Sequence, residues 1–212
     1  MLDKTQLTIE TYNQCASSYE ARFMDVSSYQ RTLDAFLACV GDSDSILDLG
    51  CGPGNIPRYL LSRKPALRIT GIDLSEEMIR LARRNVPEAR FELKDVRQLD
   101  FPAGSFDHAV ASFCLPFLDH QEAGTLIEAL ARVTRPDGCI YVSTMMGTGS
   151  GFETTSFSDG RRMFFNYYTT TFLEDQFARN ALDVAEYFAQ EYAAAGSQTL
   201  TDMIYILRKT GR

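Results

Sequence analysis

The stretch Ile46-Leu47-Asp48-Leu49-Gly50-Cys51-Gly52-Pro53-Gly54-Asn55 decides the fold. A strand-type apolar run enters a glycine-rich turn, and helix-type sequence leaves it. Glycine suits such a turn because the backbone must reverse tightly and a ligand must approach the main chain closely. The helix start beyond exposes unpaired N–H groups that favour a negative group. Taken alone, the glycine triplet can also be read as a purely structural strand-to-helix turn.

Outward from this segment, apolar β-type runs alternate with amphipathic stretches, the pattern of a parallel sheet with helices on its faces. The pattern predicts strands near 45–49, 68–73, 89–94, 106–112 and 138–144, with helices near 55–64, 75–85 and 119–134. Ser75-Glu76-Glu77 supplies an N-cap and first-turn acids. Pro57 falls in a first helical turn, where proline is tolerated. Arg135-Pro136-Asp137-Gly138 ends a helix and turns the chain into the fifth strand.

Residues 1–44 carry two helical patterns, near 8–23 and 26–40, and predict a cap across the top of the sheet. Gly147-Thr148-Gly149-Ser150-Gly151 reads as a loop, followed by the aromatic segment Met163-Phe164-Phe165-Asn166-Tyr167-Tyr168 and a helix near 171–180. Two β-rich runs, 182–191 and 199–208, with a short Ala/Gly/Ser link, predict an antiparallel hairpin. The expectation is one domain over 1–212, with core 45–212 and a substrate-side insertion at 147–170.

Composition narrows the function classes. The 212-residue chain is 45% hydrophobic and 23% charged, as in ordinary globular proteins with a substantial core. The formal net charge of −7 argues against a protein that tracks a phosphate backbone, and Arg83-Arg84 and Arg161-Arg162 read as solvated pairs. No nucleic-acid partner is expected. No apolar run reaches the ~20 residues of a membrane span, and Met1-Leu2-Asp3-Lys4-Thr5-Gln6 lacks a secretory pattern, so a cytoplasmic location is expected. Five scattered cysteines without a C-x-x-C pair, and only two histidines, suggest neither a disulfide framework nor a metal site. The oligomeric state is left open.

Acids then sharpen the reading of the glycine turn. Asp73 closes the second strand, about 20 residues past the glycines, where a nucleotide-binding α/β fold places a carboxylate for a ribose diol. Asp95 closes the third strand. Both stand at strand carboxyl ends, the edge where open α/β sheets bind ligands, although an isolated aspartate there also serves as a helix N-cap. Asp48 lies just ahead of the glycines, where a pyrophosphate cofactor such as NAD would meet an unfavourable carboxylate. A ligand with a cationic sulfonium and an α-ammonium, S-adenosylmethionine, would find that acid favourable.

With Asp48 to Gly54, Asp73, Asp95-Val96, Phe106-Asp107 to Phe117, Arg135-Pro136-Asp137-Gly138 and the terminal β runs together, the chain resembles the class I S-adenosylmethionine-dependent methyltransferases, in their small-molecule branch. The resemblance implies a Rossmann-like α/β fold with a seven-stranded, mostly parallel sheet of order 3-2-1-4-5-7-6, strand 7 antiparallel. It implies that Gly50, Cys51 and Gly52 line the methionine part of S-adenosylmethionine through their backbone. Asp73 would bind the ribose, Leu74 and Met78 would pack on the adenine, and Asp95 with Val96 would hold its amino edge. Ser112 and Phe113 would sit beside the methyl group, with Tyr12 and Tyr19 as candidates to face the cofactor or to anchor the cap.

The implied reaction is methyl transfer to a small molecule, and the residues offer no obvious general base. Phe113-Cys114-Leu115-Pro116-Phe117-Leu118 carries Pro116 and Phe117 where many members of the family carry a paired histidine. His108 reads as structural and His120 as a surface residue. Phe113, Cys114 and Tyr19 remain positional candidates for a catalytic role, Cys114 being equally a small apolar filler. Phe164, Phe165, Tyr167 and Tyr168 are expected to wall an acceptor pocket or, alternatively, to bury the hairpin. Two rival uses of the site stay open: another transfer from the same cofactor or non-catalytic binding, and nicotinamide-dependent oxidoreduction.

Overall fold

A computed structural model describes residues 3–193 and 199–211. Two helices come first, α1 (Lys4–Phe23) and α2 (Gln30–Leu37), separated by a 3-10 turn at Ser27–Tyr29. The alternation then runs β1 (Ser45–Leu49), α3 (Asn55–Arg63), β2 (Arg68–Asp73), α4 (Glu76–Asn85), β3 (Arg90–Leu93), β4 (His108–Ser112), α5 (His120–Val133) and β5 (Cys139–Met145). It closes with β6 (Ser150–Thr154), β7 (Arg162–Asn166), α6 (Thr170–Arg179), β8 (Leu182–Ala193) and β9 (Thr199–Lys209).

All five residues of β1 are buried, as expected of a parallel strand covered on both faces. The sheet order is β3-β2-β1-β4-β5-β9-β8, with β9 antiparallel to β5 and to β8. This is the expected topology, its sixth and seventh strands being β8 and β9. Leu47, Leu49, Ile140 and Val142 pack toward α5 and α6, while Ile46, Val110, Tyr141 and Ile204 pack toward α2 and α3. Ser75 caps α4 by accepting from the Met78 N–H at 3.2 Å, and Asp119 and Glu122 form a capping box on α5.

Three expectations change. The fourth strand begins at His108, because Phe106 makes only an isolated bridge to Thr134. The second helical pattern resolves into the 3-10 turn and the eight-residue α2. The loop expected at 147–151 runs into a two-stranded hairpin, β6–β7, separate from the main sheet. The Ala/Gly/Ser link at 192–198 lies largely outside the described residues, while the strands flanking it pair antiparallel as expected. Among the described residues no helix is long and apolar enough to cross a membrane.

Candidate functional site

The glycine turn places Gly50, Gly52 and Gly54 at φ of +66°, +52° and +85°, a left-handed path costly to residues with a Cβ. That path aims the Gly52 N–H at Asp73 Oδ2, 2.9 Å away, while Ser75 N–H donates to Asp73 Oδ1 at 2.9 Å. Each oxygen keeps a free lone pair toward the space above the strand tips. Burial pushes the Asp73 carboxyl up, and the Ser75, Gly52 and Leu74 N–H groups pull it back.

Asp48 lies beneath this turn, 1% exposed, and its Oδ2 has no hydrogen-bond partner among the described residues. Burial, and then the Asp73 charge, push its carboxyl well above the usual range. A buried acid with an unmet oxygen is costly unless a cation or donor arrives.

A pocket opens over the turn, and its wall collects nearly every candidate named from the sequence. Gly50, Gly52, Asp73, Leu74, Met78, Asp95, Val96, Ser112, Phe113, Cys114, Tyr12 and Tyr19 all line it. Asp48 and Cys51 do not. The Cys51 side chain packs the other way, with Ile79, Ala82, Val86 and Phe91, so only its backbone is available to a ligand. Thr5, Thr8 and Ile9 also line the pocket, and their spacing puts them on one face of α1 with Tyr12. Tyr12 is named from the sequence; the three residues that share its stripe are not. Phe117, Leu118, Ser75 and Arg97 complete the wall.

Asp95 lines the pocket but is already engaged within the protein. Its oxygens are engaged by Arg97, with Nε at 3.0 Å from both and Nη2 at 2.7 Å from Oδ2. Arg97 also reaches Thr5 Oγ1 at 3.1 Å and Glu122 Oε1 at 3.2 Å, tying α1 and α5 to this end of the pocket. The acid is thus satisfied within the protein rather than standing free.

Phe113, at the β4 tip, has φ of +51°, a strained setting for an aromatic residue. Its N–H is held by Ser143 O at 3.0 Å and Ser143 Oγ at 3.1 Å. The Cys114 thiol is pushed up by burial, so it stays protonated and fits the filler role. His108 is buried at the opposite edge, its Nδ1 accepting from Cys139 N–H at 3.0 Å and its Nε2 2.9 Å from Asp44 Oδ2. His120 is exposed against Phe172 and Tyr168.

The expected aromatic wall is also corrected. Of Phe164, Phe165, Tyr167 and Tyr168, none lines the pocket. Tyr168 is core, donating to Leu118 O at 2.7 Å; Tyr167 binds Glu153 at 2.8 Å; Phe164 packs on Phe152. Phe165 backs Phe117 from 5.3 Å. The true aromatic wall is Tyr12, Tyr19, Phe113 and Phe117, with Phe157 stacked behind Tyr12 at 5.5 Å.

These features fit S-adenosylmethionine: an orphaned buried acid for its positive end, an acid at the second strand tip, and a bare-backbone turn between them. Fold and site together define a doubly wound α/β protein with a cradle for a cationic adenosyl ligand. The Methyltransferase domain family matches residues 46–138. Residues 46–138 thus resemble a methyltransferase domain, and the chain as a whole has the fold of S-adenosylmethionine-dependent methyltransferases. It is similar to the trans-aconitate 2-methyltransferase of Methylobacterium nodulans, 40% identical over 97 residues, 46% of this chain and 36% of the relative. The chain thus spans little more than a third of the length of that curated relative. Its fold is also that of the 1,6-didemethyltoxoflavin-N1-methyltransferase of Burkholderia thailandensis (TM-score 0.69, 22% identity, covering 95% and 88% of the two chains). The [4+2]-cyclase SpnF shares it as well (TM-score 0.74, 15% identity, covering 99% and 97%).

Proposed function

We propose that this protein is an S-adenosylmethionine-dependent methyltransferase acting on a small-molecule acceptor. The observation that carries the reading is Asp48: a buried carboxylate oxygen without a partner, beneath a turn made of backbone alone. When bound, S-adenosylmethionine supplies a methyl group on a cationic sulfur, already electrophilic.

The chain's own residues would bind and align. Gly50, Cys51 and Gly52 offer backbone to the methionine part, Asp73 its free lone pairs to the ribose, and Leu74 and Met78 an apolar face to the adenine. Val96, with Asp95 held by Arg97, borders the amino edge. Ser112 and Phe113 flank the reactive end, and Tyr12 and Tyr19 close the pocket from the cap. Holding an acceptor in line at ~3–3.5 Å and excluding water can supply ~7–11 kcal/mol of the barrier. The pocket wall holds no histidine, and in this reading positioning carries most of the rate. The cap at 1–44 and the insertion at 147–170 would enclose the acceptor on core 45–212. An acidic total and a pocket walled largely by aromatic and apolar residues favour a small acceptor over nucleic acid or membrane, in keeping with a cytoplasmic location.

Calorimetry with S-adenosylhomocysteine, then formation of that product from S-adenosylmethionine over an acceptor panel, tests the proposal. No binding would refute it. A pocket wall without a histidine also suits a second reading, another S-adenosylmethionine-derived transfer or non-catalytic binding, which tight binding without methyl turnover would favour. Thermal stabilisation by NAD and not by S-adenosylmethionine would return the oxidoreductase reading.

A further inference from the structure

Two buried carboxylate oxygens among the described residues lack a partner: Asp48 Oδ2 under the glycine turn, and Asp202 Oδ1 near the start of β9. Asp202 is 1% exposed and stands on β9 opposite Met145 of β5. Opposed residues of an antiparallel ladder point to the same face. Met145 packs into the cluster that holds Tyr12, Tyr19, Phe117 and Phe157, three of which line the pocket. The other oxygen of Asp202 accepts from the Tyr29 hydroxyl at 2.6 Å. The Tyr29 ring in turn meets the pocket-lining Phe113 ring edge-on at 5.5 Å. Behind the wall of the site, contacts therefore run from Phe113 at the β4 tip through Tyr29 to an acid with one unmet oxygen.

Charge points the same way. Arg97 is the only cationic side chain among the residues lining the pocket, and its guanidinium is spent on Asp95, Glu122 and Thr5. A polycarboxylate such as the trans-aconitate named for the curated relative would meet Asp73 and the Arg97-paired Asp95 in the wall, with Asp202 behind it, and no free counter-charge. Burying carboxylates that way is expensive. Aromatic walls beside an acid instead favour an apolar or aryl body with a donor or cation at its end.

We infer that the acceptor carries an aryl or similarly flat apolar body with an amine or hydroxyl donor, and that Asp202, held in place by Tyr29, is the residue that selects it. This rests on the methyl-transfer reading of the same site. Asp202 acts on acceptor choice and takes no part in the methyl step.

The test is calorimetry on the whole chain saturated with S-adenosylhomocysteine, titrated with tyramine, 3-(4-hydroxyphenyl)propionate and trans-aconitate. Tyramine should bind at least about tenfold more tightly than either carboxylate. Asp202→Asn should weaken tyramine by roughly tenfold or more and narrow the gap between the two aryl probes, with S-adenosylhomocysteine affinity unchanged. The preference of the unaltered protein decides the matter if that variant does not fold. Tighter binding of either carboxylate, no binding of tyramine, or an unchanged preference in Asp202→Asn overturns the inference. Absence of S-adenosylhomocysteine binding, seen before any acceptor is added, overturns the methyltransferase reading itself.

Discussion

The Gly52 N–H donates to Asp73 Oδ2 at 2.9 Å, joining the glycine turn after β1 to the acid at the tip of β2. With the Ser75 N–H on Oδ1, one carboxylate holds both the turn and the start of α4. The same group that would receive a ribose therefore also shapes the pocket floor.

Asp73→Ala should weaken S-adenosylhomocysteine binding by ~1–3 kcal/mol, because the ribose hydroxyls and two backbone N–H groups lose their acceptor together. It should also lower the melting temperature. Asp73→Asn, which keeps one acceptor oxygen, should fall between. Calorimetry returning unchanged affinity for Asp73→Ala would show that the acid has no ligand role.

Gly138→Ala separates stability from binding. A Cβ there would lie 2.2 Å from the Asp107 carbonyl oxygen and 2.6 Å from Thr134 Cγ2, at the sheet edge opposite the pocket. Overpacking against backbone should destabilise by ~1–3 kcal/mol or more. The folded fraction should bind S-adenosylhomocysteine with native affinity, as a denaturation curve paired with calorimetry would reveal.

Why some of this was legible follows from where the side chains go. β1, β4 and β5 were visible because a strand buried on both faces writes a largely apolar run, as Ile46-Leu47 and Leu49 do around Asp48. Strand-tip acids followed from the same register. The β6–β7 hairpin was invisible because Ser150–Thr154 buries no residue fully, so no alternation marks it. Its place depends on distant partners such as Phe157 against Tyr12. The Arg97–Asp95 pairing was equally unreadable, since a side chain folding back two residues leaves no periodic trace.

Ligand binding should release a proton. Burial, then the Asp73 charge, hold the Asp48 carboxyl well above its usual range in the free protein. A cation arriving overhead favours the carboxylate, so the bound state holds fewer protons and affinity should rise with pH. Calorimetry of S-adenosylmethionine in two buffers of different ionisation enthalpy should give different apparent heats. Asp48→Asn should abolish the difference.

Asp202 should also leave a signature in stability. Burial raises its carboxyl from 3.8 to about 6, against the opposing pull of the Tyr29 hydroxyl. The groups facing it are Tyr29, Tyr141 on β5 and Tyr192 on β8, all phenols kept neutral by their own upward shifts. A raised folded value means the native state holds the proton more tightly. Its stabilising contribution is complete below pH 3.8 and is lost as pH rises through about 6. Asp202→Asn has no such proton to lose. The variant should therefore gain on the unaltered protein by up to about 3 kcal/mol between pH 4 and pH 7. Urea titrations at both ends of that window measure it, and a gap that stays constant would mean the acid is already paired. A gain at neutral pH alongside a loss of acceptor preference would mark the unmet oxygen as one kept for binding at the expense of stability.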